Sequence, residues 1–163
     1  MMDVGLGAPD YRLAVCIANR PPVMPFAAVT EVRPLGRGDI DGIVMQAGNH
    51  WRKIFSLYAK LGFALHDQGL ACWQDYRDDF LLSAQSQQAL LFSPPRPAAP
   101  GVKIVSGKTY AEDLGVLPPQ ACLRDGFFVS PEARLIVAPY FDYRQLSNAR
   151  LAILVELVRD CGA

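Results

Sequence analysis

Residues able to do chemistry come in short polar runs, and each run directly follows an apolar one. Asn19-Arg20 follows Arg12-Leu-Ala-Val-Cys-Ile-Ala18, and Ser93 follows Ala89-Leu-Leu-Phe92. Ser106-Gly107-Lys108-Thr109 follows Val102-Lys-Ile-Val105, and Tyr140-Phe-Asp-Tyr-Arg144 follows Leu135-Ile-Val-Ala138 and Pro139. Gathered in one place, these runs would supply an amide, hydroxyls, a lysine, two arginines, one carboxylate and several aromatic faces. Arg20, Arg144 and Lys108, near helix starts, suit a phosphate or carboxylate group. Tyr140, Phe141 and Tyr143 offer rings on which a base can stack. Asp142 is the local candidate for a general base, although a carboxylate and an arginine just before a helix equally read as a loop pair or cap.

Only a particular architecture brings such runs together. Short, continuous apolar stretches are the pattern of strands buried on both faces, which occur in parallel sheets covered by helices. In an open α/β sheet the loops at the strands' carboxyl ends hold the site. The expected fold is therefore α/β, a three-layer α/β/α domain around a short, mostly parallel four-stranded sheet. Helical periodicity fills the space between strands. Asp39 to Gln46 makes a short helix, and from Asn49, as cap, Trp51, Ile54, Phe55, Tyr58, Leu61 and Leu65 form an apolar stripe opposite Arg52, Lys53, Ser56 and Lys60. Those aromatics read as core rather than as a stacking surface. His50 and His66 flank the helix singly, without a nearby partner in sequence, and read as structural.

A further helix spans Leu70 to Leu82, with Asp75, Asp78 and Asp79 as a solvated acidic face around Arg77. The last helix starts at Ser147 as N-cap and turns Leu151, Leu154, Val155 and Val158 toward the sheet. Between them lie a long proline-rich loop from Pro21 to Gly38 and a small hairpin around Phe127-Phe128-Val129. Gly107-Lys108-Thr109 looks like the end of a phosphate-binding loop, but Val102 stands where that motif requires glycine.

With 163 residues, of which 51% are hydrophobic, the chain is expected to form a single domain, 1–163, with a substantial core. Lys plus Arg and Asp plus Glu balance at 16 each, so no global field draws in nucleic acid or an anionic membrane, and such binding must use a local patch. The 4 cysteines are far apart, without CxxC pairs or adjacent histidines, which points to neither a metal nor a disulfide framework. No metal or cofactor is expected. No run has the make-up of a signal peptide or the length of a membrane span, so a cytoplasmic protein with no membrane partner is expected.

The order of these features, a strand ending in Asn19 with prolines, a strand ending at Ser93, the turn Lys103–Gly115 and the Tyr140–Asn148 loop, is similar to the uracil-DNA glycosylase superfamily. Val105-Ser-Gly-Lys-Thr-Tyr-Ala111, with Leu114-Gly115 beyond it, resembles that family's strand-to-helix turn most closely. The likeness runs from about residue 12 to residue 160 and is one of pattern more than identity. It implies a glycosylase-like fold, a nucleotide or nucleic-acid ligand and hydrolysis of an N-glycosidic bond. Asn19 would match the water-positioning residue, Ser93 the reader of the base edge, and Tyr140 to Arg144 the loop that meets target and DNA. The chain departs from the pattern in that its terminal loop has no histidine, Ser93 replaces an amide, and Arg20 stands where proline is frequent. The strings ANRPP, WRKIF, FSPP, GKTYA and PYFDYRQLSN also resemble an uncharacterised bacterial family. The competing expectation is a non-catalytic interaction protein that homodimerises through its proline loops and exposed aromatics.

Overall fold

The structure is a computed structural model that describes residues 2–117 and 122–162. In chain order its strands are β1 (Gly5–Gly7), β2 (Leu13–Cys16), β3 (Val32–Arg33), β4 (Gln88–Leu91), β5 (Val102–Ser106), β6 (Cys122–Arg124), β7 (Phe127–Ser130) and β8 (Leu135–Ala138). The helices are α1 (Asp39–Ala47), α2 (Asn49–Leu65), α3 (Trp73–Asp79), α4 (Lys108–Leu114) and α5 (Asn148–Asp160), with a 3-10 turn at Phe26–Ala28.

The α/β class holds, but the sheet is larger and more mixed than a four-stranded one. Eight strands run in the order β3-β1-β4-β2-β5-β8-β7-β6. The four strands read from apolar runs, β4, β2, β5 and β8, lie side by side in its centre and are mutually parallel. Around them β1 joins β4 antiparallel, β3 joins β1 in parallel, and the β6–β7 hairpin extends β8 antiparallel.

Strand β1 escapes sequence reading because its glycines suit packing rather than strand propensity. A Cβ on Gly5 would lie 2.2 Å from the Leu90 carbonyl oxygen, and one on Gly7 2.2 Å from that of Gln88. Only glycine lets the two backbones approach so closely.

Alternation along the central strands divides the core in two. Leu13 and Val15, Leu90, Val102 and Ile104, and Ile136 and Ala138 point to one face, which α1, α2, α3 and α5 cover. Ala14 and Cys16, Ala89 and Leu91, Val105, and Leu135 and Val137 point to the other, where α4 supplies Tyr110 and Ala111 and the proline-rich connector supplies Ala99. Helix α2 carries the expected stripe, with Trp51, Ile54, Phe55, Tyr58 and Leu61 buried. Ser56, expected on the solvated face, is buried as well, because α1, α3 and α5 all flank α2. The cap preceding α2 is Gly48, not Asn49, which already lies within the first turn. Helix α3 is shorter than Leu70–Leu82. The Ser147 cap is as expected, its Oγ accepting from the Arg150 N–H.

Two crossovers set the position of the site. From β2 the chain leaves over the first face through α1–α3 and returns at β4; from the adjacent β5 it leaves over the opposite face through α4 and returns at β8. The connections diverge between β2 and β5, which makes a topological switch point at their carboxyl ends.

Candidate functional site

All four central strands end at the same edge, so Asn19, Ser93, Lys108 and the Tyr140–Arg144 loop are delivered to one rim. Their side chains are not equally free. Asn19 and Tyr140 meet across the switch point, the Asn19 Nδ2 donating to the Tyr140 hydroxyl at 3.2 Å. The same hydroxyl lies 3.0 Å from His50 Nε2, and the two rings stack with centroids 5.7 Å apart. The hydroxyl thus joins the Asn19 amide to the His50 ring in an amide–phenol–imidazole chain. Burial, partly offset by the Asn19 hydrogen bond, raises the Tyr140 hydroxyl above the usual tyrosine range, which keeps its proton in place at neutral pH.

Beside this chain, α2 presents its cations to the terminal loop. Lys53 Nζ is 3.5 Å from Asp142 Oδ2 and 5.8 Å above the Tyr143 ring; Lys60 stands 5.4 Å from the same ring and 5.0 Å from Trp73. Tyr143 is thus a half-exposed aromatic face with two ammonium groups against it. A shallow depression of about 360 Å³ lies next to it, lined by Lys60, Tyr143, Leu146, Ser147 and Asn148. Arg144 is exposed at the same rim.

The other expected site residues have structural tasks. Phe141 is fully buried, edge-on to Tyr58, so its ring is core and has no face for a base. Its N–H donates to the buried Ser106 Oγ at 3.1 Å, which fixes where the terminal loop leaves β8. Arg20 donates to the Val29 and Ala27 carbonyls and lies over Phe92, so its guanidinium pins the proline-rich loop. Ser93 Oγ accepts from the Val4 N–H at 3.0 Å and ties β4 to the amino-terminal segment. Lys108 is solvated, 3.7 Å from Glu112 and over Phe128.

Asp142 is committed on both oxygens. Oδ1 accepts from the Arg144 backbone N–H at 2.9 Å and Oδ2 faces Lys53. The Arg144 N–H, with Lys53 adding to it, holds the carboxyl below the ordinary aspartate range. A carboxylate so engaged shapes its loop, and its low basicity makes it a poor proton acceptor.

Taken singly, His50, Lys53 and Lys60 carry no site signal in the sequence, where the histidine reads as structural and the lysines as a solvated face. His50, Lys53 and Lys60 fall on one side of α2, and that spacing was the available signal. Their partners, Tyr140, Asp142 and Tyr143, are far away in sequence, so only the sheet order reveals the pairing.

The geometry defines a class: an open, mixed α/β sheet whose switch point carries an amide–phenol–imidazole chain beside a cationic and aromatic rim. No group of three or more His, Cys, Asp or Glu side chains among the described residues is placed to hold a metal ion, and no helix there is long and apolar enough to cross a membrane. Residues 4–159 match the model of a family of unknown function, DUF6942, and the chain belongs to that family. No curated protein and no solved structure matches it.

Proposed function

We propose that the carboxyl rim binds a nucleotide or nucleic acid, with single-stranded nucleic acid as the ligand that fits best. The observation that carries this reading is the rim around Tyr140 and Tyr143, where ring faces stand among Lys53, Lys60 and Arg144. Stacking on exposed rings plus backbone neutralisation by cations is how sequence-tolerant single-strand binding works. The rim is a surface rather than an enclosed pocket, which favours a polymer over a small metabolite. The balanced total charge is no obstacle, because the cations concentrate locally.

Chemistry on an N-glycosidic bond, as in a glycosylase-like protein, is the more specific version. Asn19 has a carbonyl oxygen with no hydrogen-bond partner among the described residues, able to hold a water, and His50 lies one hydroxyl away. That arrangement supplies a histidine which the terminal loop itself lacks.

Fluorescence anisotropy with labelled single-stranded oligonucleotides at low and physiological salt tests the proposal. Binding that weakens steeply with salt, and drops on Tyr143→Ala, is expected. Absence of binding to DNA and RNA at low salt refutes it. The competing reading, a homodimerising interaction protein, draws on Met24 and Met45, 70% and 79% exposed. Sedimentation velocity decides it, since a monomer at high concentration removes that reading.

A further inference from the structure

Trp73 opens α3, is only partly buried, and faces the rim through a lysine. Lys60 Nζ lies 5.0 Å from the centre of the Trp73 ring and 5.4 Å from that of Tyr143, so one ammonium bridges the two rings. Lys53, two helical turns earlier on the same side of α2, stands 5.8 Å from Tyr143. Outward from Lys53 the order is therefore cation, ring, cation, ring. The row leads away from the Asn19–Tyr140–His50 chain, across α2 and onto α3.

The composition of α3 fixes where the row stops. At about 100° per residue, Trp73 and Arg77 share one side of this helix, while Asp75, Asp78 and Asp79 fall on the other. Arg77 also lies over Trp73, 5.3 Å from its centre, but Asp78 holds its guanidinium at 2.8 Å. A polyanion drawn along the lysines thus meets its last ring at Trp73 and carboxylates beyond it. In the free protein Lys60 rests against both rings. Stacking a base is worth more than an exposed cation–π contact, and the displaced ammonium gains a phosphate, so a nucleic acid takes the ring faces from the lysine.

We propose that Trp73 is a binding residue for single-stranded nucleic acid, the outer stacking face of a track that begins at Tyr143, with Lys60 neutralising the phosphate between the two stacked bases. The inference rests on the reading of the rim as a single-strand surface and extends it in one direction, toward α3. Alternation of ring and ammonium matches one strand, in which neighbouring bases are joined through a single charged phosphate. A duplex keeps its base faces inside its own stack, and a mononucleotide has one base for two rings. A dinucleotide is the smallest ligand that engages Tyr143, Lys60 and Trp73 together, its second base stacking at the effective concentration that the linkage sets.

The chain has 2 tryptophans and Trp51 is only 3% exposed, so quenching of tryptophan emission by a stacked base reports on Trp73. The test titrates the whole chain at low salt with end-labelled oligothymidylate of about 8 nucleotides, reading anisotropy of the label for binding and tryptophan emission for stacking. Binding accompanied by loss of emission is expected. Trp73→Phe, which keeps a ring but no indole, should bind within about threefold of wild type and lose the quenching, and Trp73→Ala should bind about tenfold more weakly, with near-native circular dichroism showing that the fold persists. As competitor, a thymidine dinucleotide with a 5′-phosphate should be about tenfold more effective than thymidine 5′-phosphate. Binding without loss of emission, quenching that persists in Trp73→Phe, full affinity in a folded Trp73→Ala, or equal competition by the two nucleotides overturns the track toward α3 while the rim reading stands. Absence of any binding removes both.

Discussion

Gly62 lies within α2, where replacing glycine by alanine ordinarily stabilises a helix by about 1 kcal/mol. Here the sign should reverse. A Cβ on Gly62 would fall 2.6 Å from the Tyr76 hydroxyl oxygen and 2.7 Å from Gln88 Nε2. Both are ends of side chains, which elsewhere could swing aside, but both are buried and hydrogen-bonded to each other. Forcing a methyl into packed core costs about 1–3 kcal/mol, and breaking the Gln88–Tyr76 bond adds about 1 kcal/mol. After subtracting the helix gain, Gly62→Ala should destabilise by about 1–3 kcal/mol. With an unfolding entropy of about 2.1 cal/mol/K per residue, 1 kcal/mol corresponds to about 3 °C in a chain of 163 residues. Differential scanning calorimetry should therefore show Tm falling by about 3–9 °C. Gly42, within α1, is the control, since a Cβ there meets nothing within 4 Å. Gly42→Ala should raise Tm by about 2–3 °C. A Gly62→Ala protein stabilised as much as Gly42→Ala would refute the packing argument for the Gln88–Tyr76 pair.

Four further outcomes can be measured. Tyr140→Phe removes the hydroxyl between Asn19 and His50; because both partners remain exposed, urea denaturation should register a loss of about 1 kcal/mol or less, while oligonucleotide affinity falls. Lys53→Gln and Lys60→Gln should each reduce the salt dependence of single-strand binding by about 0.7 in log–log slope, and an unchanged slope for both would place the ligand elsewhere. Burial, with Arg134 nearby, lowers the Lys103 ammonium below its ordinary 10.5, so between the folded value and 10.5 the unfolded chain binds more protons and stability from this group rises with pH. Denaturation of wild type and Lys103→Met at about pH 7 and pH 10 should show the difference shifting toward wild type at the higher pH, with the titrating tyrosines cancelling in the comparison. Burial works against ionisation of Asp3, but the Arg96 and Tyr11 hydrogen bonds outweigh it and its carboxyl lies below the ordinary 3.8. Its stabilisation is present above 3.8 and fades as pH falls through that value toward the folded one, so Asp3→Asn should cost stability at neutral pH and progressively less in acid, as read by denaturation at several pH values.

What the amino-acid sequence determined by itself was local: which runs pair with water and which with each other. The apolar runs at Leu13, Ala89, Val102 and Leu135 became the four parallel strands, the three-and-four spacing of Trp51 to Leu61 became α2, and Ser147 capped α5. Each follows from periodicity or from a single side chain reaching its own backbone. Tertiary structure decided the rest. Gly5 and Gly7 carry no strand signal, yet they pair with β4 because only a backbone without Cβ fits there. Phe141 and Tyr143, two residues apart in one loop, part ways: the first is buried against Tyr58 and the second stays at the rim. His50 meets Tyr140, 90 positions away, and Asn19 meets the same hydroxyl across 121 positions, contacts that exist because β2, β5 and β8 are neighbours with a common direction. Spacing along a chain reports which face a residue takes on its own element; strand order decides which other element that face will meet.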